Sequence, residues 1–183
     1  MKKSIVAIAV LSMFAAGSAL AQEDKWEVSA AGNMTATSTD YGAGTSDSTS
    51  TFLYFRLGKY LSPQMVVSGN ISVFGNDDGT NSSVGSTLGG GVKYYFEEAA
   101  KSQFVPFVEG DLHLVGITNT TSTTTSTING AGMSAGVGAS YFITEDVSGD
   151  VSVQAFADTL SSDAGVDITQ SGMRVLFGLT ARY

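Results

Sequence analysis

Apolar and polar residues alternate along the end of the chain. In the last eleven residues every second position is apolar, namely Met173, Val175, Phe177, Leu179, Ala181 and Tyr183. The intervening positions are mostly polar or small, namely Arg174, Leu176, Gly178, Thr180 and Arg182. Because successive side chains of a β-strand point to opposite faces, this period of two predicts a strand with one apolar face. Its length fits a tilted strand that crosses a bilayer, which needs ~9–11 residues.

The same alternation recurs in seven earlier segments. They are residues 25–35, 51–60, 65–74, 84–96, 104–116, 133–141 and 147–155. Short turns such as Leu61-Ser62-Pro63-Gln64 alternate with stretches rich in Ser, Thr, Gly and Asp, which predict long loops over residues 36–50, 76–82, 118–129 and 158–169. Eight strands with connections of alternating length predict an all-β, eight-stranded antiparallel barrel of the membrane-spanning kind.

The last strand resembles the C-terminal strand of bacterial outer-membrane β-barrels. In that family a terminal aromatic residue and the alternating apolar positions form the signal that the barrel-insertion machinery reads. The resemblance implies this role for Phe177, Leu179 and Tyr183, although the family usually ends in Phe. Residues 55–68 and 141–153 resemble the repeated hairpin of small OmpX- and OmpA-type barrels. The fold implied is an eight-stranded transmembrane barrel with short periplasmic turns and long extracellular loops.

The N-terminus has the three parts of a secretory signal peptide. Lys2 and Lys3 are basic, residues 5–16 are apolar, and Ala19-Leu20-Ala21 matches a cleavage site. We therefore expect a signal peptide over residues 1–21 and one barrel domain over residues 22–183, exported to the bacterial outer membrane. The sequence contains no Cys, which excludes disulfides and thiolate metal sites.

Alternation alone is also compatible with a soluble, lipocalin-like barrel whose apolar face points inward. Two features favour an apolar face toward lipid. The polar faces consist mainly of Gly, Ser, Ala and Thr, which suit a narrow interior. Aromatic residues gather at the turn-side ends of the strands, as in an interfacial girdle. The girdle predicted in this way contains Trp26, Tyr60, Tyr94, Phe96, Phe104, Tyr141 and Tyr183.

The predicted inward faces carry nearly balanced charge. The four acids and five potential cations are Glu27, Glu109, Asp111, Asp150, Arg56, Lys93, His113, Arg174 and Arg182. An eight-stranded barrel is just wide enough for side chains to fill it, and unpaired charges there would cost several kcal/mol per ion. We therefore expect a structural polar network that fills the lumen, with help from Phe74, Tyr95 and Phe142. Strand neighbours predict the pairs Glu27–Arg182 and Lys93–Glu109.

His113 is the single histidine and the one candidate for catalysis. Barrel enzymes that deacylate lipid A have a His-x-Ser arrangement, but Val115 stands at the serine position here. Ser134 or Ser140 could approach His113 from the next strand. We expect a structural role for His113 and no catalytic residue. The Asn76–Gly79 stretch lacks calcium-loop spacing and predicts a turn. No metal or cofactor site is predicted.

Charge limits the choice of partners. Without Lys2 and Lys3, seven basic residues oppose seventeen acidic ones, a net charge of −10, which argues against nucleic acid. The four predicted loops contain seven Asp and no Lys or Arg, so contact with lipopolysaccharide phosphates would need bridging divalent cations. Expected partners are outer-membrane lipid and lipopolysaccharide, the barrel-assembly machinery through the last strand, and a host or surface partner through the loops.

The family resemblance implies an OmpX-like surface protein with a closed lumen. Its role would be structural, adhesive or host-interacting, and it would not be an enzyme. Two alternatives remain open from the sequence. One is an outer-membrane enzyme that modifies lipid A, and the other is a minimal pore for small solutes.

Overall fold

The protein is a closed antiparallel barrel of eight strands that follow one another in sequence order. The computed structural model describes residues 25–40, 45–77, 81–97, 102–121, 125–162 and 167–183, so the predicted signal peptide lies outside the described residues. The strands are β1 (Trp26–Asp40), β2 (Thr45–Ser62), β3 (Met65–Asp77), β4 (Ser82–Tyr95), β5 (Phe104–Thr120), β6 (Thr125–Phe142), β7 (Val147–Ser162) and β8 (Asp167–Arg182). The predicted fold class is therefore confirmed.

Pairing between the first and last strands closes the barrel. At the rim that carries the short turns, Trp26 and Tyr183 exchange two backbone hydrogen bonds, each 3.0 Å from N to O. A closed ladder leaves no free edge at this rim, which satisfies the backbone groups of both terminal strands there. The described residues contain no helix that is long and apolar enough to cross a membrane.

The two faces of each strand lie as the alternation predicts. On β8, Met173 and Phe177 point outward and are 75% and 63% exposed, whereas Leu176 and Thr180 point inward and are 2% and 1% exposed. Large apolar residues on the outer faces of the other strands are likewise exposed, for example Leu88, Leu112 and Val137. The barrel therefore has an apolar outer belt, and charged residues such as Glu27, Arg56 and Lys93 lie inside.

The strands are longer than predicted, so the four predicted loops have the wrong bounds. β1 continues to Asp40 and β2 begins at Thr45, and β5 and β6 likewise pair as far as Thr120–Thr125. Thr is well suited to strands, and a ladder already in register can continue to satisfy backbone groups beyond the apolar belt. The middle parts of these predicted loops, residues 41–44, 78–80, 122–124 and 163–166, lie outside the described residues.

Tyr60 does not belong to the predicted aromatic girdle. Its hydroxyl donates to Glu27 Oε2 inside the barrel at 3.0 Å. Tyr60 lies an even number of positions after Tyr54 and Arg56, so it lies on the same inward face of β2. The girdle residues that do face outward and are exposed are Tyr94, Phe96, Phe104, Tyr141 and Tyr183.

Candidate functional site

Four charged residues form a cluster inside the barrel near the short turns. The Lys93 ammonium lies 3.6 Å from Glu27 Oε1 and 3.1 Å from Asp150 Oδ2. The Arg182 Nε atom lies 3.7 Å from Glu27 Oε2. Glu27 has no exposed surface. Each acid therefore has a cationic partner, as buried charges require.

Two tyrosines join the members of this cluster. The hydroxyls of Tyr60 and Tyr95 both donate to Glu27 Oε2, at 3.0 and 2.7 Å. Arg182 donates to the same two hydroxyls, each at 2.9 Å. The Lys93 ammonium also lies 4.0 Å from the centre of the Phe107 ring, a cation–π contact. Aromatic rings therefore occupy the space that the ion pairs leave.

A second charged cluster lies further from the turns. Arg56 Nη1 donates to Glu109 Oε2 at 2.7 Å, and Arg56 Nη2 donates to Asp111 Oδ1 at 3.2 Å. Gln154 donates to the other Glu109 oxygen at 2.7 Å, and Asn70 donates to Asp111 Oδ1 at 2.8 Å. These bonds connect strands that are not neighbours around the barrel. We call the two clusters together the turn-side plug, which comprises Glu27, Arg56, Lys93, Glu109, Asp111, Asp150 and Arg182.

One of the two predicted ion pairs is observed and the other is wrong. Glu27 and Arg182 meet as predicted. Lys93 and Glu109 are register partners on β4 and β5, but Lys93 pairs with Glu27 and Asp150, and Glu109 pairs with Arg56. The lumen is narrow enough for long side chains to reach its far wall, so adjacency along the sheet does not decide the partner.

His113 forms a separate pair above the plug. Its Nε2 atom lies 2.9 Å from Asp158 Oδ1. A Cβ atom at Gly132 would collide with both side chains, so glycine provides the space for this pair. Asp158 was predicted to begin a loop, but it lies on the inward face of β7, where it is buried. Asp158 is four residues after Gln154, so the alternation along β7 places both side chains on the inward face. This alternation is the sequence signal that could have identified Asp158.

The pair does not include a nucleophile. Ser134 lies on the neighbouring strand, but its hydroxyl donates to Asp111 Oδ2 at 3.3 Å. Among the described residues, the one hydrogen bond of the His113 imidazole is to Asp158. Nor do the described residues contain a group of three or more His, Asp or Glu that could hold a metal ion.

The lumen is not filled along its whole length, contrary to the prediction. Above the plug it widens into a cavity of about 760 Å³, which we call the outer cavity, whereas the plug itself encloses only about 30 Å³. The outer cavity has apolar walls that include Phe52, Phe74, Phe156, Ile117 and Leu160, and its polar lining includes His113, Asp158 and Arg174. Some inward positions at this level are glycines that make room for neighbouring side chains, because a Cβ atom would meet the Phe74 ring at Gly85 and the Phe156 ring at Gly172.

The sequence between residues 6 and 178 matches the family model described as outer membrane protein beta-barrel domain. The chain belongs to this family. It is accordingly an outer-membrane barrel, and its apolar outer belt faces lipid. Phe177, Leu179 and Tyr183, the predicted insertion signal, all lie on this lipid-facing surface.

Solved structures share this fold at low sequence identity. Neisserial surface protein A is 15% identical with a TM-score of 0.63, and the match covers 87% of this chain and 97% of that one. The N-terminal barrel domain of Pseudomonas aeruginosa OprF is 16% identical with a TM-score of 0.60, covering 87% and 97% of the two chains. No curated protein sequence matches this outer-membrane barrel.

Proposed function

We propose that this outer-membrane barrel is a non-conducting, non-enzymatic surface protein whose polar hairpins make its external contacts. The observation that carries the proposal is the turn-side plug. Arg56 reaches across the lumen from β2 to Glu109 on β5, and both side chains are almost fully buried. Ions could pass only if Arg56 and Glu109 moved apart. Each buried charge would then lose its partner, which costs several kcal/mol.

The opposite ends of the strands offer a different surface. There, the end of β5 pairs with the start of β6. The threonine side chains of this paired region are all exposed, namely Thr118, Thr120, Thr125 and Thr127. Such residues contribute little to the packing of the barrel, so they are free to serve recognition. This surface supports an adhesive, host-interacting or structural role.

The expected partners follow from the chemistry of each surface. The lipid-facing belt suits outer-membrane lipid and lipopolysaccharide, and the excess of Asp over basic residues in the outer segments favours divalent cations as bridges to phosphate. Phe177, Leu179 and Tyr183 would contact the barrel-assembly machinery. Without Lys2 and Lys3 of the expected signal peptide the net charge is −10, which makes nucleic acid an unsuitable partner.

Conductance separates this proposal from a minimal pore. Refolded protein in planar bilayers should show no steady ohmic current. The matched variant Arg56→Ala combined with Glu109→Ala removes the bond across the lumen and should introduce unstable openings. A steady current from the unmodified protein would replace the proposed function with that of a small-solute pore.

Two changes assayed in parallel separate a surface protein from a lipid A-modifying enzyme. Replacing residues 118–129 with a Gly-Ser hairpin should abolish binding to host cells or serum factors and leave the lipid A mass unchanged. His113→Gln should leave both properties intact. Loss of a lipid A modification in the His113→Gln protein alone would establish the enzyme instead.

A further inference from the structure

The contact between β1 and β8 ends well below the outer rim. The two strands pair from Glu27–Arg182 to Gly32–Phe177. On its other side β1 stays paired with β2 as far as Asp40, and β8 stays paired with β7 as far as Asp167. Among the described residues, the two strands therefore separate above Gly32 and Phe177. We call this gap the open seam.

The open seam begins at a depth that lies within the membrane. From Tyr183 to Phe177 the strand rises by six residues. At ~3.3 Å per residue and a tilt of ~40°, this corresponds to ~15 Å above the turn rim. The apolar band of such barrels is ~25 Å tall. The seam therefore opens into the outer part of the bilayer and not only into water.

In the described parts of β1 and β8, backbone N–H and C=O groups along the open seam lie at the depth of the bilayer without a partner strand. Unpaired N–H and C=O groups are costly in hydrocarbon, and they are tolerated where the backbone lines a cavity. At the start of the seam the Asn33 side-chain amide donates to the Val175 carbonyl at 3.1 Å, so a side chain replaces the missing backbone donor. The outer cavity borders the seam directly, because Met34, Met173 and Val175 belong to its lining.

Arg174 stands inside the cavity at the edge of this seam. Its guanidinium lies close to two aromatic rings, 4.0 Å from the centre of the Phe52 ring and 5.4 Å from that of the Phe156 ring. Its Nε atom donates to Gln154 at 2.9 Å. In the described part of the chain, Arg174 has no carboxylate within 4.0 Å, unlike Arg56, Lys93 and Arg182. Its two terminal nitrogens remain available for an anion.

We propose that the outer cavity binds a single-chain carboxylate amphiphile. The carboxylate accepts two hydrogen bonds from the guanidinium of Arg174, the geometry that arginine favours for this group. The adjacent chain packs on Phe52 and Phe156, and the tail leaves through the open seam, between Met34 and Met173, into the outer leaflet. This site is independent of the hairpin-mediated role proposed above.

Charge and size select this ligand class. A volume of about 760 Å³ falls in the ~300–1,000 Å³ range of ligand sites, which are mostly apolar with a few placed polar groups. Asp158 is the one carboxylate among the described residues that line the cavity, and it is already hydrogen-bonded to His113. One free guanidinium matches a monoanion, whereas a phosphate monoester would bring a second negative charge that the lining does not balance.

Binding affinity tests the role of Arg174. The refolded full-length mature protein in dodecyl maltoside micelles is titrated with dodecanoate, dodecanol, dodecylamine and dodecyl phosphate. Dodecanoate should bind most tightly, and Arg174→Gln should weaken it by roughly ten-fold or more. Asp158→Asn is the matched control on the same cavity and should bind at least as tightly.

Equal binding of dodecanol, tighter binding of dodecyl phosphate, or no effect of Arg174→Gln overturns the proposal. Gel mobility before and after boiling verifies that each variant is folded.

Methionine methyl signals test the path of the tail. Carbon-13 labelling of the mature protein reports on Met34, Met65, Met133 and Met173. Stearate with a nitroxide near its tail end should broaden Met34 and Met173 more than Met133, which is also lipid-facing and 60% exposed. The excess broadening should vanish in Arg174→Gln. Equal broadening of the three methyls would show ordinary micelle partitioning and would overturn the seam as the exit.

Discussion

Arg56 on β2 and Glu109 on β5 form a 2.7 Å ion pair through the centre of the barrel. Their strands are separated by β3 and β4, so the bond joins opposite walls. Asp111 shares the same guanidinium, and Gln154 holds the second oxygen of Glu109. The barrel is thus braced across its lumen as well as around its wall, and this bracing determines how several substitutions should behave.

Removing Arg56 should destabilise the barrel more than removing Glu109. Arg56→Met leaves Glu109 and Asp111 buried without their cation, and breaking a buried pair in this way costs about 3–5 kcal/mol. Glu109→Gln should cost less, because Arg56 retains Asp111. Urea unfolding of protein in lipid vesicles measures both values. An equal free energy of unfolding for the two variants would contradict the central position of Arg56.

A charge on the outer face of the last strand should impair assembly. Phe177→Asp places a carboxylate near the middle of the lipid-facing belt. Charged residues there cost up to ~2–4 kcal/mol, with acids toward the lower end. Phe177→Leu keeps the surface apolar and serves as the control. Heat-modifiable protein in outer-membrane fractions measures assembly, and normal assembly of Phe177→Asp would refute the assignment of faces.

Deleting Tyr183 should slow insertion. The deletion removes two backbone hydrogen bonds with Trp26 that close the barrel at the turn rim, together with the terminal aromatic residue of the predicted insertion signal. Tyr183→Phe keeps the backbone and the ring, so it should insert normally. Pulse-chase appearance of the folded form measures the rate, and equal rates for the deletion and the unmodified protein would contradict the prediction.

Adding a methyl group at Gly132 should disturb the His113–Asp158 pair. A Cβ there would overlap both side chains, and overpacking costs about 1–3 kcal/mol. Gly149→Ala is the control, because a Cβ at Gly149 would meet nothing within 4 Å. Urea unfolding should separate the two variants. A stability loss of the same size at both positions would indicate a general backbone effect of losing glycine.

The unheated protein should migrate differently from the boiled protein in SDS gels. A closed ladder has no fraying edge over the paired region, so detergent alone should not unfold it. Circular dichroism of the unheated sample should show β structure. Identical migration of both samples together with a helical spectrum would refute the barrel.

The alternation along the chain was enough to predict the number of strands, their order and the face that most strand residues occupy. A period of two can be recognised within each strand separately. Eight strands that each have one apolar face can all bury it only if these faces point to the same side of the sheet, which here faces the lipid. Counting every second residue along β2 and β7 also places Tyr60 and Asp158 on the inward face. These positions were not predicted, because the sequence around Asp158 has the composition of a loop and Tyr60 lies at the end of its strand.

The sequence did not reveal which inward residues meet or where the lumen stays open, because both depend on distances across the barrel. Lys93 and Glu109 are neighbours in register but take partners across the barrel, because the reach of long side chains is comparable to the width of the lumen. The end of the β1–β8 pairing at Gly32–Phe177 has no counterpart in the pattern of either strand. It depends on the stagger of the closed sheet, which is a property of all eight strands together.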